Sequence, residues 1–159
     1  MKKDTIVGAF TIEYPDSFEK MEQNEIRKFY AAAANRWGII NHEQHMVISV
    51  GWTKALGMIG SLLVDERSFL NRFDKHGKRY LKEYARTEDI TKEFCGMTAK
   101  GFGFRYTASD RPADMRGKVV TFRIGSRVFC ADYMTSNTDT LFCNMAYDMV
   151  LHSIQAVKE

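Results

Sequence analysis

The sequence predicts an α+β fold, a twisted antiparallel β-sheet flanked by helices, and three observations lead there. The first is a tight hairpin, in which residues 118–124 and 127–133 are β-rich runs separated by Gly125-Ser126, a two-residue turn with glycine first. The second is helical periodicity in two well-separated stretches, one opening at Asp65 and one at Ser136. The third is that most strand-like runs are joined to a neighbour by a short turn, with the helices set between them.

Taken in order, residues 7–14 read as a strand with Phe10, Ile12 and Tyr14 on one side, ended by Pro15-Asp16-Ser17. Asn24 is placed to cap a short helix over 25–33, where Ile26, Phe29 and Tyr30 recur at helical spacing. Residues 35–40 and 45–52 form a second hairpin across the polar turn 41–44. The stretch 53–63, an apolar run broken by Gly57 and Gly60, reads as a loop. Asp65 then caps a long helix to about Tyr84, with Phe69, Leu70, Phe73, Tyr80, Leu81 and Tyr84 as its apolar stripe. Residues 88–94 read as a strand, Cys95-Gly96 as a turn, 97–108 as the next strand and 109–117 as a polar loop.

Pairing outward from the Gly125-Ser126 turn sets Phe122 opposite Phe129, Val120 opposite Ala131 and Lys118 opposite Tyr133. Phe102, Phe104 and Tyr106 alternate in the same way. Phe102, Phe104, Phe122 and Phe129 are therefore the expected core face, while Arg105, Thr121, Arg123, Cys130 and Asp132 belong to a second face. A last helix is announced by Ser136, with Asp139 three residues on. Its expected buried stripe is Phe142, Met145, Ala146, Met149, Val150, Ser153 and Ile154.

Composition sets the class. A chain of 159 residues with 45% hydrophobic and 27% charged residues and two prolines is neither disordered nor collagen-like, and a single domain over 1–159 is expected. The net charge of +3 is mild, and the densest basic cluster, Lys75-His76-Gly77-Lys78-Arg79, lies inside a predicted helix, so no nucleic-acid partner is expected. No stretch approaches the about 18 apolar residues of a membrane span, so no membrane partner is expected either. Cys95, Cys130 and Cys143 are odd in number and lack Cys-x-x-Cys spacing, which points to free thiols and a cytoplasmic protein.

Candidate chemistry is sparse. His42 and His45 flank Glu43 as His-x-x-His at a hairpin turn, which departs from the helical His-Glu-x-x-His zinc pattern, so no metal and no cofactor are expected. A reactive thiol needs a helix N-terminus or a cation, and of the three cysteines only Cys143 comes near one; a small buried residue is its expected role. Gly101-Phe102-Gly103-Phe104 lacks the third glycine and following helix of a phosphate loop, and reads as glycines beneath a crossing helix. The candidate binding surface is Trp37, Trp52, Arg105, Arg123 and Asp132, with the charged members facing water unless that sheet face forms a groove.

The opening Phe10-Thr11-Ile12-Glu13-Tyr14-Pro15, the strand pair over 96–106, the hairpin over 117–134 and the closing Val150-Leu151-His152-Ser153-Ile154 together resemble the Mog1/PsbP-like α/β superfamily. That resemblance spans nearly the whole chain, though its motifs are packing positions. It implies a twisted antiparallel sheet flanked by helices and non-enzymatic work, since members include a Ran-binding nuclear transport factor, photosystem subunits and chaperones of bacterial secreted effectors. The phrase Asn35-Arg36-Trp37-Gly38 ahead of 45–52 also resembles small proteins of gut Firmicutes, which implies a bacterial source. The reading is a non-catalytic protein-binding or adaptor and chaperone-like module, not an enzyme, whose partner is another protein. One alternative is a small-ligand-binding protein or enzyme with a pocket between the sheet and the helix 65–84, using Tyr80, Arg105 or His45. Another is a homodimer formed through an uncovered sheet face or edge strand, which charge at Val128 would break.

Overall fold

Alternating apolar residues make strand the commonest element of this chain. The structure is a computed structural model and describes residues 1–30, 34–53, 65–110 and 113–158. It begins with β1 (Lys2–Ile6), β2 (Phe10–Tyr14), β3 (Glu19–Lys20), α1 (Gln23–Phe29), β4 (Arg36–Asn41) and β5 (Met46–Trp52). Then follow α2 (Glu66–Tyr80), β6 (Lys82–Phe94), β7 (Met97–Thr107), β8 (Asp114–Ile124) and β9 (Arg127–Thr135). The last elements are α3 (Thr140–His152) and β10 (Gln155–Ala156). The class is α+β, as the sequence predicts.

One large sheet runs β3-β4-β5-β9-β8-β7-β6 with every neighbouring pair antiparallel, and a small one runs β1-β2-β10. The β8–β9 register sets Phe122 against Phe129, Val120 against Ala131 and Lys118 against Tyr133, as the turn demands. Gly125 opens that turn at a φ of 62°, a conformation that suits glycine first.

Both faces of the large sheet are covered, which corrects the expectation of a single core face. Phe122 and Phe129 join Phe10, Ile12 and Tyr14 of the small sheet and Tyr147, Val150 and Leu151 of α3 in the main core. Phe102 and Phe104 sit in a separate cluster with Val119, Cys130 and Met134, and Phe69, Leu70 and Phe73 of α2 cover it. The pairing of β7 with β8 explains the split: Phe102 is opposite Val119, an odd-numbered position of β8, and a one-residue offset turns a side chain to the other face. Val128, the residue expected on an uncovered face, is buried. Gly101 is crowded by the Val119 carbonyl of the neighbouring strand and not by a crossing helix.

Several boundaries shift for local reasons. Residues 7–14 do not form one strand, because Val7 and Gly8 adopt φ of 42° and 70° and turn the chain, so that Ile6 pairs with Phe10. The first helix stops at Phe29, since Tyr30 is already extended; Ala31, Ala32 and Ala33 of the expected helix lie outside the described residues, as does most of the loop expected over 53–63. Asp65 caps α2 as expected, its carboxylate accepting from the Ser68 N–H at 2.7 Å. In the closing helix the cap is Asp139 and not Ser136, because Asn137 Oδ1 takes the Asp139 N–H and delays the first turn. The buried face of α3 is Cys143, Ala146, Tyr147, Val150 and Leu151, leaving Met145 and Met149 outside.

The largest correction concerns Tyr84, expected in the helix. The helix ends at Tyr80, and β6 begins at Lys82 and folds back so that the Tyr84 hydroxyl donates to Asp74 at 2.9 Å. The Tyr84 ring then lies on Gly77, where a Cβ would collide with it. In β6 itself, the long outer strand, the register with β7 shifts twice, between Lys82 and Ala85 and between Arg86 and Asp89. In an open helix Gly77→Ala would gain about 1 kcal/mol of propensity. Here we expect it to lose about 1–2 kcal/mol in urea unfolding, because the overpacked ring is tethered by its hydroxyl. A stabilised Gly77→Ala variant would show that Tyr84 does not rest on this glycine.

Candidate functional site

The site grows from one polar exception in each of two apolar strands. In β9, Asp132 falls between Ala131 and Tyr133, and in β5, Ser49 falls between Ile48 and Val50; both are fully buried. Alternation points them to the α2 side of the sheet, where they are paired across β5–β9. Arg36 of β4 reaches the same spot. Its Nη1 donates to Ser49 Oγ at 2.7 Å and to Asp132 Oδ1 at 3.0 Å, and Ser49 Oγ donates to Asp132 Oδ1 at 2.7 Å. The Tyr30 hydroxyl donates to Asp132 Oδ2 at 2.7 Å, and the Tyr30 ring lies under the Arg36 guanidinium at 4.2 Å. Gly51 makes room, since a Cβ there would stand 2.8 Å from Arg36 Nη2.

Burial pushes the Asp132 carboxyl up from its ordinary value, against the pull of Arg36, Tyr30 and Ser49. Burial also works against the Arg36 charge, but the Asp132 carboxylate holds the guanidinium above its ordinary value. Convergence of an ion pair with two hydroxyl donors decides for the charged pair, since every Asp132 oxygen has a donor. The two buried thiols are not poised for attack: burial pushes Cys130 up, with the Asp132 charge adding to it, and burial likewise raises Cys143.

Between this network and α2 lies a cavity of about 530 Å³. Phe29, Tyr30, Trp52, Phe69, Phe73 and Phe104 supply aromatic walls, Arg36 and Arg72 supply the cations, and His76 adds an imidazole. Burial, and then the Arg36 charge, holds His76 below its ordinary value. A second cavity of similar size opens beside the start of α2, where Arg123 Nε donates to Glu66 Oε1 at 3.2 Å.

A different surface is apolar and open. Leu141, Met145 and Met149 are 70%, 59% and 45% exposed and follow one another at i, i+4, i+8 along α3, a line of about 12 Å. They lie opposite the buried Cys143, Tyr147 and Leu151, so α3 is apolar on two sides.

The five candidate binding residues do not come together. Trp37 is in the main core, its indole N–H donating to Asp4 at 2.9 Å and its ring packed on Tyr14. Trp52 is half-buried at the end of β5 and lines the cavity. Asp132 is buried where a solvated face was expected, because α1 and α2 cover that face. Arg105 is exposed and paired opposite Arg116, which puts it on the other side of the sheet from Arg123 and Asp132. The cavity between the sheet and α2 is present, yet the residues anticipated for it are elsewhere: Tyr80 is 63% exposed, and His45 is in the 42–45 turn. Arg36, Tyr30 and Ser49 were missed, although a serine or arginine within an alternating apolar strand marks a buried polar partner.

The fold has solved counterparts. No family model matches the chain, and no curated protein matches it. A Bacteroides thetaiotaomicron protein aligns over 99% of this chain with a TM-score of 0.65 at 11% identity, but over 49% of its own length, so this chain spans about half of it. The cyanobacterial PsbP of Synechocystis sp. PCC 6803 aligns over 98% of this chain and 92% of its own, with a TM-score of 0.62 at 12% identity. A mutant of Mog1 aligns over 96% and 86%, with a TM-score of 0.51 at 10% identity. The fold is Mog1/PsbP-like. Within the Mog1/PsbP-like frame, the buried network stands on β4, β5 and β9, the middle of the large sheet.

Removing Asp132 strands the Arg36 charge in the interior. Asp132→Ala is therefore expected to cost about 3–5 kcal/mol in chemical unfolding. A loss below about 1 kcal/mol would show that the pair is not buried as described.

Proposed function

We propose that this chain is a non-catalytic binding module whose partner is another protein, acting as an adaptor or chaperone-like subunit. The observation that carries the reading is the exposed line Leu141, Met145 and Met149 on α3. An apolar stripe on a well-packed helix forgoes burial, and unbranched methionines adapt to varied apolar partners. The polar groups at the centre of the sheet are engaged with one another, which suits a scaffold more than a reaction centre. The Mog1/PsbP-like fold supports the same reading by analogy alone. We place the protein in the cytoplasm as one domain; its three free cysteines suit a reducing compartment.

A second reading, a small-ligand site between the sheet and α2, is favoured by the aromatic cavity there.

Retention of proteins from native lysate on immobilised chain tests the first reading, with Met145→Glu as the comparison. Proteins held by the wild type should be lost from the variant by about tenfold or more, while its unfolding free energy stays within about 0.5 kcal/mol of wild type. Equal retention on both would remove α3 as the partner surface.

A further inference from the structure

The cavity between α2 and the β4–β5 strands has a lining whose chemistry names a class of ligand. Its volume of about 530 Å³ is that of a small-molecule site. The described lining combines flat aromatic walls with three basic groups: Arg36 from the sheet, and Arg72 and His76 one turn apart on α2. No aspartate or glutamate is among the described lining residues, and Asp132 is already taken by Arg36, Ser49 and Tyr30. A separate observation points the same way: Arg36 Nε is buried and has no hydrogen-bond acceptor among the described residues, although Nη1 has two. A buried donor left without a partner is costly, and an anionic oxygen is the strongest acceptor for it.

We propose that this cavity binds an aromatic carboxylate, its ring system between the aromatic walls and its carboxylate at Arg36 and Arg72. The proposal rests on the small-ligand reading and gives that site its ligand class. A wholly polar anion leaves the aromatic walls wet, and a neutral aromatic leaves the Arg72 cation of the lining unmatched; an amphipathic anion suits both parts of the lining. The site lies on the opposite side of the large sheet from α3, so a protein partner on α3 leaves it accessible.

The test is titration of the full chain with naphthoate and with the neutral naphthyl methanol, read by calorimetry and by amide NMR shifts. Naphthoate should bind saturably, shift amides of α2 and β4, and bind about fivefold or more tighter than the alcohol. Arg72→Gln should weaken naphthoate by about fivefold while leaving the alcohol and the melting curve unchanged. Arg36 variants risk misfolding through Asp132, so Arg72 carries the comparison. If the alcohol binds as well as naphthoate, or Arg72→Gln changes nothing, the carboxylate class is overturned while the ligand site stands. If neither compound shifts amides around the cavity up to millimolar concentration, both fall.

Discussion

Asp132 is a carboxylate with no exposed surface, and an interior charge persists only where donors surround it. The donors come from three places in the chain: Tyr30 just past α1, Arg36 on β4 and Ser49 on β5. Each must arrive in register. A one-residue slip of β5 against β9 would turn Ser49 into the aromatic core and send Val50 toward the carboxylate. The knot thus couples the position of the chain after α1 to the order of the central strands. It also sets the floor of the cavity beneath α2, because the guanidinium that serves Asp132 is the one that lines it.

Covering both faces of the large sheet needs two kinds of layer. On one side the small sheet and α3 close over the rings of Phe10, Phe122 and Phe129, whose centroids stand 4.9–5.9 Å apart. On the other, α2 closes over Phe102 and Phe104 through Phe73, at 6.0 and 5.3 Å. The first cover is broad. The second is a single helix beside a shorter one, and the space left between them is the cavity. Exposure on α3 follows from its place in the first layer: a helix packed along one face keeps whatever the other face carries.

How much of this could be read in the sequence depends on range. The hairpin register followed from Gly125-Ser126 because a two-residue turn fixes pairing locally, and Asp65 announced its helix because a cap acts three residues away. The face of Phe102 was not legible, since it depends on the register of β7 against β8 across an intervening loop. Tyr84 continued the helical stripe of Phe73 and Tyr80 so well that periodicity could not reveal the reversal; only its hydroxyl contact with Asp74 and its rest on Gly77 did. On α3, two overlapping stripes, one through Met145 and Met149 and one through Cys143 and Tyr147, fit the same period. Choosing between them required the core. Of the candidate site, Asp132 was singled out as a charge on a sheet face, but its partners stand 83 to 102 residues away and no local pattern joins them.

The outer strand β6 has a further consequence. It is thirteen residues long, and a straight edge of that length would offer a ladder of free N–H and C=O groups to any extended segment. Its two register shifts and the charges of Lys82, Glu83, Arg86, Glu88, Asp89, Lys92 and Glu93 break that ladder into short, solvated pieces. At the other end of the sheet, β3 has two residues. Among the described residues, neither border of the large sheet is therefore a long, regular template for main-chain pairing, and its faces are left as the surfaces on which side chains decide contact.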